Sequence, residues 1–300
     1  MAIAAQRPMD AVAAVVMVAL TFTWGFNQVA AKVSTEGYSP IFLTMARSLI
    51  GLCVILLWCR LRGIRLFERD GTLVPGVLAG VAFGIEFVLI YVGLDFTTAA
   101  RGTLMVNTMP FFVAIGAHLF LGERLSPMKF AGLVAAFGGV ALVLSDELSM
   151  PSPGALRGDL LCLLGGLFWA VSTLVIKGSR LRDAPAEKTL AYQLVLGALV
   201  ALPLLPFGGP LVREVSALAT VSLLFQGAFV VGVTYLVWFM LMRTYPATGL
   251  TSFAFLSPVF GVVCGGLLLG EPLSPRIFGA LALICAGLVL VNVPRRRPPG

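Results

Sequence analysis

The sequence predicts an all-α membrane protein, with ten transmembrane helices arranged as two inverted five-helix repeats. Three observations predict it. The first is composition: 59% of the chain is hydrophobic and only 12% is charged, with a mean hydropathy of +0.99, whereas soluble domains carry about 25% charged residues. A water-soluble core cannot hide that much apolar surface, and a bilayer accepts it. The second is spacing, because apolar runs long enough to cross hydrocarbon recur ten times. The third is repetition. Ala99 to Pro127 reads AARGTLMVNTMPFFVAIGAHLFLGERLSP, and Ala247 to Pro275 reads ATGLTSFAFLSPVFGVVCGGLLLGEPLSP. Each copy has one proline at its centre, Pro110 or Pro258, and closes on L-G-E-x-L-S-P at Glu123 or Glu271. The copies stand nearly half a chain apart, so residues 1–150 and 151–300 read as a duplicated half.

The first run, 11–32, resembles a signal peptide, but it is long enough to span and nine more follow, so it is expected to be retained. Runs at 41–58, 73–94, 99–121 and 127–146 complete the first half. Runs at 159–177, 189–207, 217–242, 247–269 and 275–293 make the second. Each is near the roughly 20 residues that span the hydrocarbon. Backbone groups in lipid must be satisfied within the segment, and these runs are too long and too evenly apolar for barrel strands, so helix is the expected form. The longest loop, about 147–158, links the halves, and no stretch is long enough for a soluble domain.

Charge sets orientation. With the N-terminus in the cytoplasm, Arg7, Arg60, Arg62, Arg65, Arg69, Arg124, Lys129, Lys177, Arg180, Arg182, Lys188, Arg243 and Arg295 to Arg297 fall inside. Lys32, Arg101, Arg157, Arg213 and Arg276 fall outside, and Arg47 lies within a span. The positive-inside rule then puts both termini in the cytoplasm. The net charge of +7 therefore reports membrane orientation and not nucleic-acid binding. Five spans per half make the second copy enter from the other side, which is an inverted repeat about an axis in the membrane plane. Further matches agree: Trp24 and Lys32 with Trp169 and Lys177, Arg47 and Gly51 with Gln193 and Gly197, and Gly84 with Gly232.

Pro110 and Pro258 each remove a backbone donor and free a carbonyl four residues earlier, at Val106 and Ala254. At matching mid-depth positions they read as kinks or hinges beside a central cavity, and singly as packing kinks. Ser126-Pro127 and Ser274-Pro275 read as N-cap and first helical residue of spans five and ten. Glu123 and Glu271 then lie near helix N-termini, as interfacial carboxylates favoured by the dipole or as a gate or ion site. Gly76, Gly80 and Gly84 mark a close helix contact, as do Gly261 and Gly265. Cys53, Cys59, Cys162, Cys264 and Cys285 lack metal-ligand spacing and read as small packing residues.

Arg47 and Glu86 are the charged residues deep in a span, both about 10 Å below the surface. Such charges face protein or water and pair, so the two are expected to interact. That pair is either structural, or Glu86 titrates or contacts a substrate amine. Polar and aromatic residues recur at mid-span: Trp24 and Asn27 on helix one, Tyr91 on three, Asn107 on four, Trp169 and Thr173 on six, Tyr235 and Trp238 on eight, Ser252 on nine. With Glu86 these are the candidate cavity residues. Tyr91 and Trp238 also fit an interfacial belt. Such a lining suits a small amphiphilic or aromatic solute better than a sugar phosphate, which would want several inward Lys or Arg. His118 reads as a passive interfacial residue. No P-loop, H-E-x-x-H or G-x-S-x-G is present, so no ATP drive, cofactor, metal or enzyme chemistry is expected.

The doubled L-G-E-x-L-S-P behind a mid-helix proline, with P-x12-E spacing and ten short-looped helices, resembles the drug/metabolite transporter superfamily in its EamA-like ten-helix branch. Over its whole length the chain looks most like the YddG-type aromatic amino-acid exporters. That resemblance implies efflux of aromatic and other neutral amino acids across the bacterial inner membrane. It implies a central cavity drawn from helices one, three, four, six, eight and nine, with two and seven outside and five and ten peripheral. The expected activity is secondary transport by alternating access, with a small-molecule substrate and the lipid bilayer as partners. A passive channel or facilitator is the alternative, and a lipid flippase or membrane enzyme is a more remote one. Nothing marks a dimer face, so a monomer is one expectation and the oligomeric state stays open.

Overall fold

The computed structural model describes residues 8–66, 68, 70–94, 96–97, 99–145, 154–270, 273 and 275–293. Arg7, Arg69, Glu271, Ser274, Arg295 to Arg297 and most of the 147–158 loop lie outside the described residues. Among these residues there are eight helices long and apolar enough to cross a membrane and two shorter apolar ones. The chain is a multi-pass membrane protein.

The helices are α1 (Ala11–Gly37), α2 (Pro40–Arg62) and α3 (Leu73–Leu94), then α4 in two pieces (Ala99–Val106 and Met109–Phe120) and the short α5 (Pro127–Val143). After them come α6 (Ala155–Gly178) and α7 (Ala186–Ala201, extended by a 3-10 segment Leu202–Phe207). α8 runs from Ala217 to Thr244, with a π-helical middle at Phe225–Thr234. α9 comprises Ala247–Ser252, a 3-10 turn Phe253–Phe255 and Leu256–Leu269, and α10 is Arg276–Asn292.

Local chemistry sets the ends. Asp10 caps α1 by accepting from Ala13 N at 2.8 Å, Ser39 caps α2 ahead of Pro40, and Ser216 caps α8. Ser126 accepts from Lys129 N at 3.3 Å with Pro127 as first residue of α5. Pro275 sits one place earlier than expected, as the cap residue of α10. α1 and α2 run several residues past their apolar runs, because hydropathy reads bilayer thickness whereas a helix ends where its carbonyls find other donors. α5 shows the converse. It ends at Val143, short of the expected 146, where Ser145 Oγ donates to Leu142 O at 2.8 Å.

Small residues hold the bundle together, since lipid supplies no hydrophobic drive between helices. Gly76, Gly80 and Gly84 face Tyr192, Leu196 and Val200 of α7, and a Cβ added at Gly80 would lie 2.6 Å from Tyr192 O. α5 and α10 pack on each other and on α9, and a Cβ on Gly287 would stand 2.4 Å from Gly132 O. α1 packs on α8 and α9, whereas α6 packs on α3 and α4; α2 lies against α7 and α8.

Cross-helix bonds define two ends. At the basic end, Lys188 Nζ meets Asp70 Oδ2 at 2.8 Å and Tyr245 Oη donates to Asp10 Oδ2 at 2.6 Å. At the opposite end Arg101 pairs with Asp159, which also accepts from Thr97 Oγ1 at 2.6 Å, and Arg213 N donates to Gly37 O at 2.8 Å. Arg101 was expected on the external side at the start of the 99–121 run. It lies in the first turn of α4, where Asp159 of α6 neutralises it.

Candidate functional site

Interruptions in three helices surround the middle of the bundle. In α4 the regular ladder holds to Asn107 N, which donates to Thr103 O, and tightens at Thr108, whose N donates to Met105 O at 3.1 Å; Thr108 Oγ1 also donates to Met105 O at 2.6 Å and Asn107 Nδ2 to Thr103 O at 2.8 Å. Pro110 follows as the second residue of the next piece and has no N–H to offer Val106. In α9 the 3-10 turn at Phe253–Phe255 lies just ahead of Pro258. The π-helical stretch of α8 carries no proline. Its side chains rebond the backbone instead: Thr234 Oγ1 donates to Val230 O at 2.5 Å, and Gln226 Nε2 donates to Ser222 O at 3.2 Å and to Ser34 Oγ of α1 at 2.8 Å. Stretches of π-helix are rare and frequent at functional sites.

Between these elements lies a cavity of about 280 Å³, near the lower end of the roughly 300–1,000 Å³ typical of small-molecule sites. Its aromatic wall is continuous. Trp24 stands edge-on to Tyr235 and Trp238, with centroids 6.2 and 5.6 Å away, and its Nε1 donates to Thr234 Oγ1 at 2.9 Å. Phe83 contacts Tyr235 at 6.4 Å and Phe87 at 4.9 Å, and Phe87 reaches Tyr91 at 6.3 Å. Trp169 and Thr173 line it from α6, and Asn107 from α4. Tyr91 and Trp238 thus face the cavity and not a lipid belt.

The polar groups are few and incompletely bonded. Asn27 lines the cavity with Oδ1 unpartnered. Glu86, 3% exposed, has no partner for Oε2, and Arg47, 4% exposed, has none for Nε or Nη2, among the described residues. The expected Arg47–Glu86 pair is not closed by an ion pair; both line the cavity while the Arg47 guanidinium sits 4.0 Å over the Phe87 ring. Gln193 was not a candidate. It donates to Ser172 Oγ at 2.8 Å and leaves Oε1 unpartnered in the same wall.

Arg47 and Gln193 stand on α2 and α7, which the resemblance placed outside the cavity. Close packing brings Arg47 in: a Cβ on Gly227 would lie 3.2 Å from Arg47 O, and one on Gly51 2.6 Å from Val231 Cγ1. Helices that near let a long side chain reach past its neighbours. The Arg47–Gln193 match between the repeats was the signal that could have found Gln193.

Ser252 is a correction. It is fully buried but off the cavity, donating to Gly249 O at 2.7 Å. The 3-10 turn after it rotates the face of α9, so that Ala254, Ser257 and Pro258 line the cavity instead. Pro110 is buried beside the cavity and outside its lining.

At the basic end, below the cavity, two charged side chains tie helices together. Glu123 accepts from Ala247 N at 2.7 Å, Thr248 N at 3.2 Å and Thr248 Oγ1 at 2.8 Å, capping α9 from the α4–α5 loop. Lys177, expected as the last residue of its run on the cytoplasmic side, is buried in the last turn of α6 and donates to Met242 O at 2.5 Å and to Tyr245 O. Its amine takes up carbonyls that the end of α8 leaves open. His118 is exposed, its Nδ1 3.1 Å from Glu123 O. Glu271 lies outside the described residues.

Comparison with known proteins identifies the machine. The model of the EamA-like transporter family matches residues 11–145 and again 156–293. The chain belongs to the EamA-like transporter family. Curated relatives run along nearly the whole of this EamA-like transporter. An uncharacterized transporter of Bacillus subtilis is 25% identical over 276 residues, covering 91% of this chain and 94% of its own. An uncharacterized protein of Pseudomonas aeruginosa is 34% identical over 220 residues, 73% of each chain. A probable amino-acid metabolite efflux pump of Salmonella typhimurium is 26% identical over 281 residues, covering 89% and 90%. A crystal structure described only as that of a protein aligns at TM-score 0.81 and 21% identity, over 94% of this chain and 96% of that one, a likeness of fold alone. Like the other members, this EamA-like chain is a transporter.

Proposed function

We propose that this protein is a secondary transporter that exports aromatic and other neutral amino acids by alternating access. The observation that carries the reading is the cavity: small, walled on one side by aromatic rings, and holding a few incompletely bonded polar groups at the level of the helix breaks. Such a wall fits one apolar or aromatic side chain plus a small polar head. The likeness to a probable amino-acid metabolite efflux pump points the same way. Two inverted five-helix halves would rock about the cavity, with Pro110 and Pro258 near the pivot. The exchanged packing, α1 on α8 and α9 against α6 on α3 and α4, supports that arrangement. The protein sits in the bacterial inner membrane, with both termini and the basic end in the cytoplasm, as the distribution of Arg and Lys favours.

The test is counterflow in proteoliposomes with labelled amino acids, with and without a pH gradient. A carrier shows saturation and stimulation by trans substrate for aromatic amino acids. Linear flux without trans-stimulation would make the protein a channel, and flux confined to other solutes would overturn the substrate assignment.

A further inference from the structure

We infer that Arg47 and Glu86 are the two poles of a zwitterion anchor, Arg47 receiving the substrate's carboxylate and Glu86 its ammonium, while the apolar remainder lies among the rings. The inference rests on the amino-acid reading above and deepens it. Both side chains line the cavity, and both are more than nine-tenths buried. A buried charged group without a partner is costly, more so than a neutral one. Yet Nε and Nη2 of Arg47 and Oε2 of Glu86 are unpartnered among the described residues.

A purely structural pair would have closed on itself. Here the guanidinium sits over Phe87 instead, 4.0 Å from its centroid. That contact uses the face of the cation and leaves edge N–H groups, the fork that matches a carboxylate. An ammonium brings N–H donors and needs acceptors. Oε2 of Glu86, Oδ1 of Asn27 and Oε1 of Gln193 are acceptors without donors in the same wall. A solute carrying both charges on one carbon satisfies both poles together. A solute with one charge leaves the other pole bare, and sites built for a polar group discriminate strongly against analogues lacking it.

The experiment measures ligand binding by the concentration-dependent rise in unfolding temperature of the full-length protein in detergent. The ligands are phenylalanine, 2-phenylethylamine and 3-phenylpropionate, and the proteins are wild type, Arg47→Gln and Glu86→Gln. Wild type is expected to prefer phenylalanine about tenfold or more over either analogue. Arg47→Gln should lose the preference over the amine and keep that over the acid; Glu86→Gln should do the reverse. Unchanged ratios in both variants, or an equal loss for all three ligands, would overturn the anchor. Should a variant fail to fold, the wild-type ladder decides alone, since equal affinity for all three ligands also overturns it. Phenylalanine counterflow separates the two claims. If both variants transport phenylalanine as wild type does, the anchor falls and amino-acid export stands. If wild type transports no amino acid, the export reading falls and the anchor with it.

Discussion

Asp70 and Lys188 join the α2–α3 loop to the start of α7. Lys188 Nζ is buried, bonding Asp70 Oδ2 at 2.8 Å and Glu68 O at 2.9 Å, and Thr72 Oγ1 donates to Asp70 Oδ1 at 2.5 Å. The Lys188 ammonium, with help from Thr72, holds the Asp70 carboxyl well below the usual carboxylate range. A carboxyl whose folded pKa is depressed stabilises the fold above its unfolded value, about 3.9, and loses that contribution as pH falls through the folded value. Asp70→Asn should therefore lower the unfolding temperature at pH 7, and the gap to wild type should narrow only below about pH 4. A gap that is constant from pH 7 to 3 and below, read by thermal unfolding in detergent, would contradict this. Single residues were unevenly legible in the sequence. Asn27, Glu86 and Trp169 could be read from type and depth alone, because polar and aromatic groups at mid-span must face something other than lipid. Gln193 and the reach of Arg47 depend on how near α2 and α7 come to their neighbours. Ser252 was misplaced because one turn of 3-10 helix, wound more tightly than the α-helix, redirects a face.

At the scale of the element, the apolar runs fixed which segments are helices but not where those helices end or bend. Hydropathy carries no record of a π-helical stretch; within the one in α8, Thr234 and Gln226 bond backbone carbonyls four residues back. The prolines did carry a record, since a missing N–H writes a bend into the chain. Glycine seams are equally specific. Gly287 of α10 faces Gly132 O and Ala136 of α5 at distances no side chain tolerates. Gly287→Leu should part the two short helices and cost about 1–3 kcal/mol as overpacking, measured by chemical denaturation in detergent. A variant as stable as wild type would show that the seam yields freely.

At the scale of the whole molecule, the loops make a prediction about sides. The basic end gathers Arg60, Arg62, Arg180, Arg182 and Arg243, whereas Arg101, Arg213 and Arg276 stand at the other. A fluorescent protein fused after Gly300 should fold and fluoresce in the cytoplasm, and an alkaline phosphatase fused there should stay inactive; an active phosphatase would invert the assignment.

On the proposed reading of the chain as two inverted copies, Arg47 and Gln193 hold matching places, and the difference between them has a consequence of its own. Had the two copies stayed identical, the cavity wall would look the same from either half, and a bound molecule could lie in two opposite poses of equal energy. A guanidinium from one half and an amide from the other, both lining the cavity, would remove that ambiguity. Loss of likeness between such parts would let the pocket tell the head of its cargo from the tail.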